Sequence, residues 1–149
     1  MDKHVIAEIK VNYSPRKLKC RTKVNCSQKA YEVFLDTWDH GIIEYQEEFK
    51  ILLLNHSNEP LGLYTLSRGG QTFAPVDLKI LFGVILKSGA TGFISVHNHP
   101  SGRLRASMQD KALHEKIKKI ASFHEVNYLD ALIITAKNGY YSFQDEGDF

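Results

Sequence analysis

Two histidines two residues apart, His97 and His99, follow the apolar run Phe93-Ile94-Ser95-Val96 and precede Pro100-Ser101-Gly102. Side chains alternate faces along an extended segment, so residues i and i+2 point the same way. Both imidazoles can therefore address one metal ion from the end of a strand, which Pro100 and Gly102 then break. Ser107-x-x-Asp110 reads as a capping signature for a helix, with Asp in place of the usual Glu or Gln. Ten residues separate His99 from Asp110, a loop long enough to return Asp110, in the first turn of that helix, to the two imidazoles. Two neutral nitrogens and one carboxylate make three protein ligands, which leaves a zinc ion one open position for water. Closed structural sites use four ligands, so three point to catalysis.

Each part also has an ordinary explanation. Most His-x-His pairs are surface or core histidines, Asn-His-Pro-Ser-Gly is a common turn, and a Ser/Asp cap needs no metal. The joint pattern of ligand types, strand-loop-helix context and the added serine is what argues for a metal. A His2Asp set suits zinc, and also iron, cobalt or manganese. A water activated by such an ion needs a carboxylate to take its proton and deliver it to a leaving group. Glu47 and Glu48, directly before Phe49-Lys50-Ile51-Leu52-Leu53-Leu54, are the candidates, and on a strand they face opposite ways.

The elements that must position these residues follow from periodicity. Val5 to Tyr13 alternates apolar and polar and predicts a half-buried strand, stopped by Ser14-Pro15. A basic run of Arg16, Lys17, Lys19, Arg21 and Lys23 reads as a solvated connector. Ser27 is the expected N-cap of a helix carrying Tyr31, Phe34, Leu35 and Trp38 at helical spacing, ended by Asp39-His40-Gly41. The apolar end of Ile42 to Asn55 predicts a buried strand, with a turn at 55–60 and a hairpin partner at Leu61 to Ser67. Arg68-Gly69-Gly70 reads as a flexible loop. Helices are expected over Val76 to Lys87, with Gly89 just past its end, and over Ser107 to His124. Strands are expected at Thr91 to Val96, Leu129 to Thr135 and Tyr140 to Phe143.

The bulk numbers narrow the classes. A chain of 149 residues, 43% apolar and 24% charged, is one ordinary globular domain. The net charge of +2 does not call for a nucleic-acid partner. Cys20 and Cys26 lack both a disulfide framework and zinc-knuckle spacing, which predicts reduced thiols and a cytoplasmic protein. Neither a signal peptide nor an apolar run of membrane length is visible, so no membrane partner is expected. Residues 1–26 are read as an N-terminal strand and basic connector within the same unit, and 27–149 as the metal-binding domain. The remaining histidines, His4, His40, His56, His114 and His124, are scattered.

His97-x-His99-Pro100, Ser107-x-x-Asp110 and an upstream glutamate resemble the JAMM motif of JAB/MPN metallopeptidases. The wording His-Asn-His-Pro-Ser-Gly, with Asp130 and Tyr140-Tyr141-Ser142-Phe143 downstream, is similar to the RadC family over roughly residues 30 to 149. The resemblance implies a cytidine-deaminase-like α/β fold, a mixed sheet flanked by helices, and a zinc site formed by His97, His99 and Asp110. It favours Glu47 over Glu48 as the proton carrier and gives Ser107 a role in holding an oxyanion. Asp130 matches a position in a Leu-Asp-His run where the pair would support the site, but Ala131 replaces the histidine here. A second departure is Pro75-Val76-Asp77, where the family tends to Pro-Arg-Glu, in a loop expected to border the cleft.

The implied function is zinc-dependent hydrolysis of a peptide or isopeptide amide in an unknown protein substrate. The alternative is a DNA-repair-associated accessory protein that binds DNA or a protein partner, with the metal site structural or vestigial. Its local support is the run Arg16 to Lys23. A nucleic-acid deaminase is excluded, since that chemistry wants a Pro-Cys-x-x-Cys pair and neither cysteine is so placed.

Overall fold

The structure, a computed structural model, describes residues 6–10, 12 and 22–149. Its elements in chain order are α1 (Ser27–Thr37), β1 (Glu48–Leu54), β2 (Pro60–Arg68), α2 (Leu78–Ser88), β3 (Gly92–Asn98), α3 (Met108–Phe123), β4 (Asn127–Ile134) and β5 (Tyr140–Ser142). The five strands form one mixed sheet in the order β2-β1-β3-β4-β5. Only β3 and β4 run parallel, with α3 as the crossover between them; the other pairs are antiparallel. This is the α/β sheet flanked by helices that the sequence predicts.

The sheet buries both faces, which is why every residue of β1 and β3 is buried, the polar Glu48, Lys50, Ser95, His97 and Asn98 included. One face carries Phe49, Ile51, Leu53, Phe93 and Ile133 against Leu81, Phe82, Ile85, Ile117 and Ala121 of α2 and α3. The other carries Leu52, Leu54, Ile94, Val96 and Leu132 against Phe34 and Trp38 of the α1 segment. Side-chain parity then decides where chemistry can go. His97 shares a face with Phe93, and its ring stacks on Phe49 at 6.3 Å between centroids.

Several expectations shift. Cys26, not Ser27, is the N-cap of α1; the Ser27 hydroxyl is taken by Tyr140 and Asp145 instead. α2 starts later than expected, because Asp77 caps it by accepting the backbone N–H groups of Lys79 and Ile80. Gly89 ends it in the left-handed conformation as expected. β3 runs on through His97 and Asn98. Gly69 is not a loose hinge: a Cβ there would overlap the Phe73 carbonyl oxygen, and Gly69 and Gly70 pair with both backbone groups of Glu47 at 2.8 Å. Residues 6–10 and 12 of the strand expected over Val5 to Tyr13 form none. Ile6 and Ile9 are 88% and 90% exposed, so the alternation has no sheet to bury against. Val5, Val11 and Tyr13 lie outside the described residues, as do Cys20 and the basic run apart from Lys23. Among the described residues no helix is long and apolar enough to cross a membrane.

His114 is part of the core, not a scattered surface histidine. Its ring lies 4.5 Å from Phe143, 4.7 Å from Phe149 and 5.1 Å from Tyr128. Nδ1 sits 3.3 Å from the Tyr128 hydroxyl, and among the described residues Nε2 has no hydrogen-bond partner. Burial lowers its pKa, with Lys118 adding to the effect and Glu115 and Asp148 opposing it. The unfolded chain protonates His114 near pH 6.5 while the folded one resists, so stability is lost as pH falls below that value. The slope from this group is at most about 1.4 kcal/mol per pH unit. His114→Phe is therefore expected to unfold in urea with a shallower loss of midpoint between about pH 7 and 5 than the parent. Parallel curves for the two proteins would show that His114 does not set the acid sensitivity.

Candidate metal centre

β3 ends at Asn98, but the backbone stays extended one step further, where the His99 N–H donates to the Ile134 carbonyl at 3.0 Å. That step puts His99 on the same side as His97, and their Nε2 atoms stand 3.0 Å apart. The turn that follows closes with the Gly102 N–H on the His99 carbonyl, and Gly102 takes φ +81°, which favours glycine. The side-chain amide of Asn138, in the β4–β5 turn, donates to the Gly102 carbonyl at 2.9 Å and fixes the turn from outside.

Asp110 arrives from the first turn of α3. Ser107 and Asp110 form a reciprocal capping box: the Ser107 hydroxyl accepts from the Asp110 N–H at 3.0 Å, and the Asp110 carboxylate accepts from the Ser107 N–H at 2.7 Å. The same carboxylate reaches both imidazoles, with Oδ1 3.2 Å from His97 Nε2 and Oδ2 3.5 Å from His99 Nε2. Burial opposes ionisation of Asp110, but hydrogen bonds from His97 and His99 outweigh it and hold the carboxyl well below the usual range.

The donor set fits a zinc ion. His99 Nδ1 lies 2.7 Å from the Arg103 carbonyl. A carbonyl only accepts, so Nδ1 carries a proton and Nε2 is the nitrogen left to address an ion. The spacings of 3.0, 3.2 and 3.5 Å between donor atoms bracket the edge of about 3.3 Å that zinc bonds of ~2.0 Å give in a tetrahedron. Glu47 closes the group: a carboxylate oxygen of Glu47 and a nitrogen of each histidine lie within 4.8 Å of one another. Burial raises the Glu47 pKa, the two imidazoles oppose that, and Asp110 adds to it.

The neighbouring Glu48 points the other way. Its carboxylate is buried on the α1 face and accepts from Arg68 Nε at 2.7 Å. Asp130 also lies on that face. It accepts from the Ser142 hydroxyl at 2.5 Å and from the backbone N–H groups of Ala131 and Gln144, so it braces β5 and does not support the histidines. Ala131 is part of the core on the metal-facing side. The cleft beside the centre, of about 870 Å³, is bordered by Gln71, Thr72 and Phe73 rather than by Pro75-Val76-Asp77.

One residue had no assigned chemistry in the sequence. Asn98 is fully buried. The β1–β3 ladder ends at the pair Phe49 and His97, and one step on the Asn98 side chain takes the place of backbone. Its Oδ1 accepts from the Glu48 N–H at 2.7 Å, and its Nδ2 donates to the carbonyls of Ile43 and Gln46 at 2.7 and 2.9 Å. Glu47 is thereby held between an amide clasp on one side and Gly69-Gly70 on the other.

A family model described as a RadC-like JAB domain matches residues 24–148. The chain belongs to this family. Among the curated relatives of the RadC-like JAB chain, an UPF0758 protein from Flavobacterium johnsoniae is 48% identical over 103 residues, covering 69% of this chain and 44% of its own length. An UPF0758 protein of Porphyromonas gingivalis is 38% identical over 102 residues (68% and 45%), and one of Thermotoga maritima is 30% identical over 103 (69% and 46%). The matched part spans under half the length of these relatives, and their names state no activity.

Replacing Asn98 by leucine should leave one buried N–H and two carbonyls without partners. At ~1–3 kcal/mol for each unsatisfied group, the urea midpoint is expected to fall by the equivalent of about 3 kcal/mol or more. An unchanged midpoint would mean that water replaces the clasp.

Proposed function

We propose that this RadC-like JAB domain is a zinc-dependent hydrolase of the JAMM type that cleaves a peptide or isopeptide amide in a protein substrate. The observation that carries this reading is the convergence of His97, His99, Asp110 and Glu47 at the end of β3, beside an open cleft. His97 Nε2, His99 Nε2 and an Asp110 oxygen would hold the ion. When bound, it supplies Lewis acidity, which polarises the amide carbonyl and makes a water acidic near neutral pH.

The chain's own residues account for the proton traffic. Glu47 accepts a proton from the attacking water as the oxygen adds to the amide carbon. It then delivers that proton to the nitrogen as the C–N bond breaks, giving a carboxylic acid and an amine. A carboxyl whose pKa is raised by burial is suited to both halves of this exchange. Ser107 lines the cleft and uses its oxygen lone pair on the Asp110 N–H, which leaves its hydroxyl hydrogen to donate to the tetrahedral oxygen. The two histidines do no proton transfer; their part is to hold the ion in one orientation, His99 through Arg103 and His97 through its stack on Phe49.

The test joins metal content to turnover. The purified chain is expected to carry about one zinc, and His99→Ala and Asp110→Ala are expected to lose it while keeping their circular dichroism spectra. Glu47→Gln should keep the metal and lose about 10²-fold or more of amide hydrolysis on a peptide and isopeptide panel read by mass spectrometry. Retention of zinc by both ligand variants, or full activity in Glu47→Gln, would overturn the assignment.

A further inference from the structure

The cleft next to the metal centre has a chemistry that the histidines and carboxylates do not use. Its lining includes Gln71, Thr72, Phe73, Arg103, Arg105 and Met108. Arg103 and Arg105 both border it and Leu104 between them does not, so the loop turns alternate side chains toward the space. Both arginines are exposed, and among the described residues no carboxylate lies within ion-pair distance of either guanidinium. The acidic residues nearby are engaged elsewhere. Glu47 and Asp110 face the histidine pair. Asp148, which shares a smaller hollow with Arg105, lies 3.8 Å from Lys111 and accepts from the Tyr141 hydroxyl. Across from the arginines, Phe73 is 54% exposed, and Met108 at the start of α3 is 89% exposed.

A guanidinium presents a planar fork of donors that matches a carboxylate in two-point fashion. Two such forks without partners, with the cleft's own carboxylates turned to the histidine pair, leave positive charge concentrated on the Arg103–Arg105 side of the cleft. Exposed apolar side chains in the same space favour a peptide over a purely ionic ligand. We propose that the cleft selects peptide substrates carrying a carboxylate close to the amide that is cut, with Arg103 and Arg105 as the specificity residues. This rests on the amide-hydrolase reading for the identity of the bond, whereas the charge preference is a property of the cleft itself. Arg103 has a second task, since its backbone carbonyl orients His99; side-chain substitution leaves that carbonyl in place.

Fluorescently labelled peptides identical except for one Glu, Gln or Lys, each made with a free and an amidated C-terminus, separate the two sources of a carboxylate. Binding is read by anisotropy on zinc-loaded Glu47→Gln protein, which uncouples recognition from turnover. The Glu peptide, or the free-acid form, is expected to bind about tenfold tighter than its neutral counterpart. Arg103→Gln with Arg105→Gln should reduce that ratio to about twofold or less, with the melting temperature unchanged. In the parent protein the ratio should also shrink as salt rises from about 0.05 to 0.5 M, a readout that does not depend on the variant folding. Equal binding of all peptides, no binding at all, or a preference that survives the double substitution would overturn the proposal. So would duplex DNA that binds more tightly than the Glu peptide and is released by the same substitutions. Selective binding without cleavage by the zinc-loaded parent would instead sink the hydrolase reading and leave the charge preference standing.

Discussion

The clasp made by Asn98 is the constraint on which the rest of the centre depends. Antiparallel ladders end where one strand diverges, and the first residues past the end have backbone groups with no partner. Here β1 and β3 part at exactly the point where the chemistry sits, just past the pair Phe49 and His97. Were those groups satisfied by water, the 39–47 turn would be free to swing and Glu47 with it. Asn98 has one acceptor and two donors available on its amide, and three backbone groups of the turn and β1 meet them. An asparagine between two histidines is thus no spacer. Alternation sends its neighbours to the metal face and sends it to the α1 face, where it locks the segment that presents the glutamate.

The location of the centre follows from topology. β3 is the strand at which pairing changes from antiparallel, with β1, to parallel, with β4. The crossover through α3 opens a crevice beyond the carboxyl end of β3, the place where α/β sheets commonly bind ligands. The helix that crosses there also offers the positive end of its backbone dipole to an anion. Asp110 therefore caps the helix and faces both imidazoles without conflict. The capping box fixes the rotamer that points its oxygens at the imidazoles, so the two explanations of Ser107-x-x-Asp110 are one geometry.

The sequence made the trio legible because each of its parts is local: a strand end, a turn and a helix start within fourteen residues. The resemblance favoured Glu47, but the residues themselves separated it from Glu48 only in the sense that a strand sends them to opposite faces; which face held the histidines depended on pairing with a strand some fifty residues away. The same distance hid Asn98, whose partners are Ile43, Gln46 and Glu48. His114 escaped because a histidine at a helical core position looks like a polar one until the aromatic residues from β4 and the chain end are seen around it. Asp130 was placed beside the histidines by the resemblance alone; the regular ladder from Ile94 and Asp130 to His97 and Ile133 sets it an odd number of residues from the partner of His97, hence on the opposite face.

The surroundings of the two carboxylates argue for a division of labour between them. Asp110 stands at 3.2 and 3.5 Å from the two nitrogens, whose hydrogen bonds outweigh burial and hold its carboxyl well below the usual range. Glu47 also has a carboxylate oxygen near a nitrogen of each histidine, and burial drives it the other way, toward holding a proton. Two carboxylates in one site whose surroundings push their proton affinities apart have different uses, one as fixed charge and one as carrier. Exchanging their positions would put the more readily protonated group in the α3 cap, against both imidazoles, and the more acidic one at the head of β1. The backbone prevents that exchange, because Asp110 is tied to the α3 cap and Glu47 to Gly69, Gly70 and, through Glu48, Asn98.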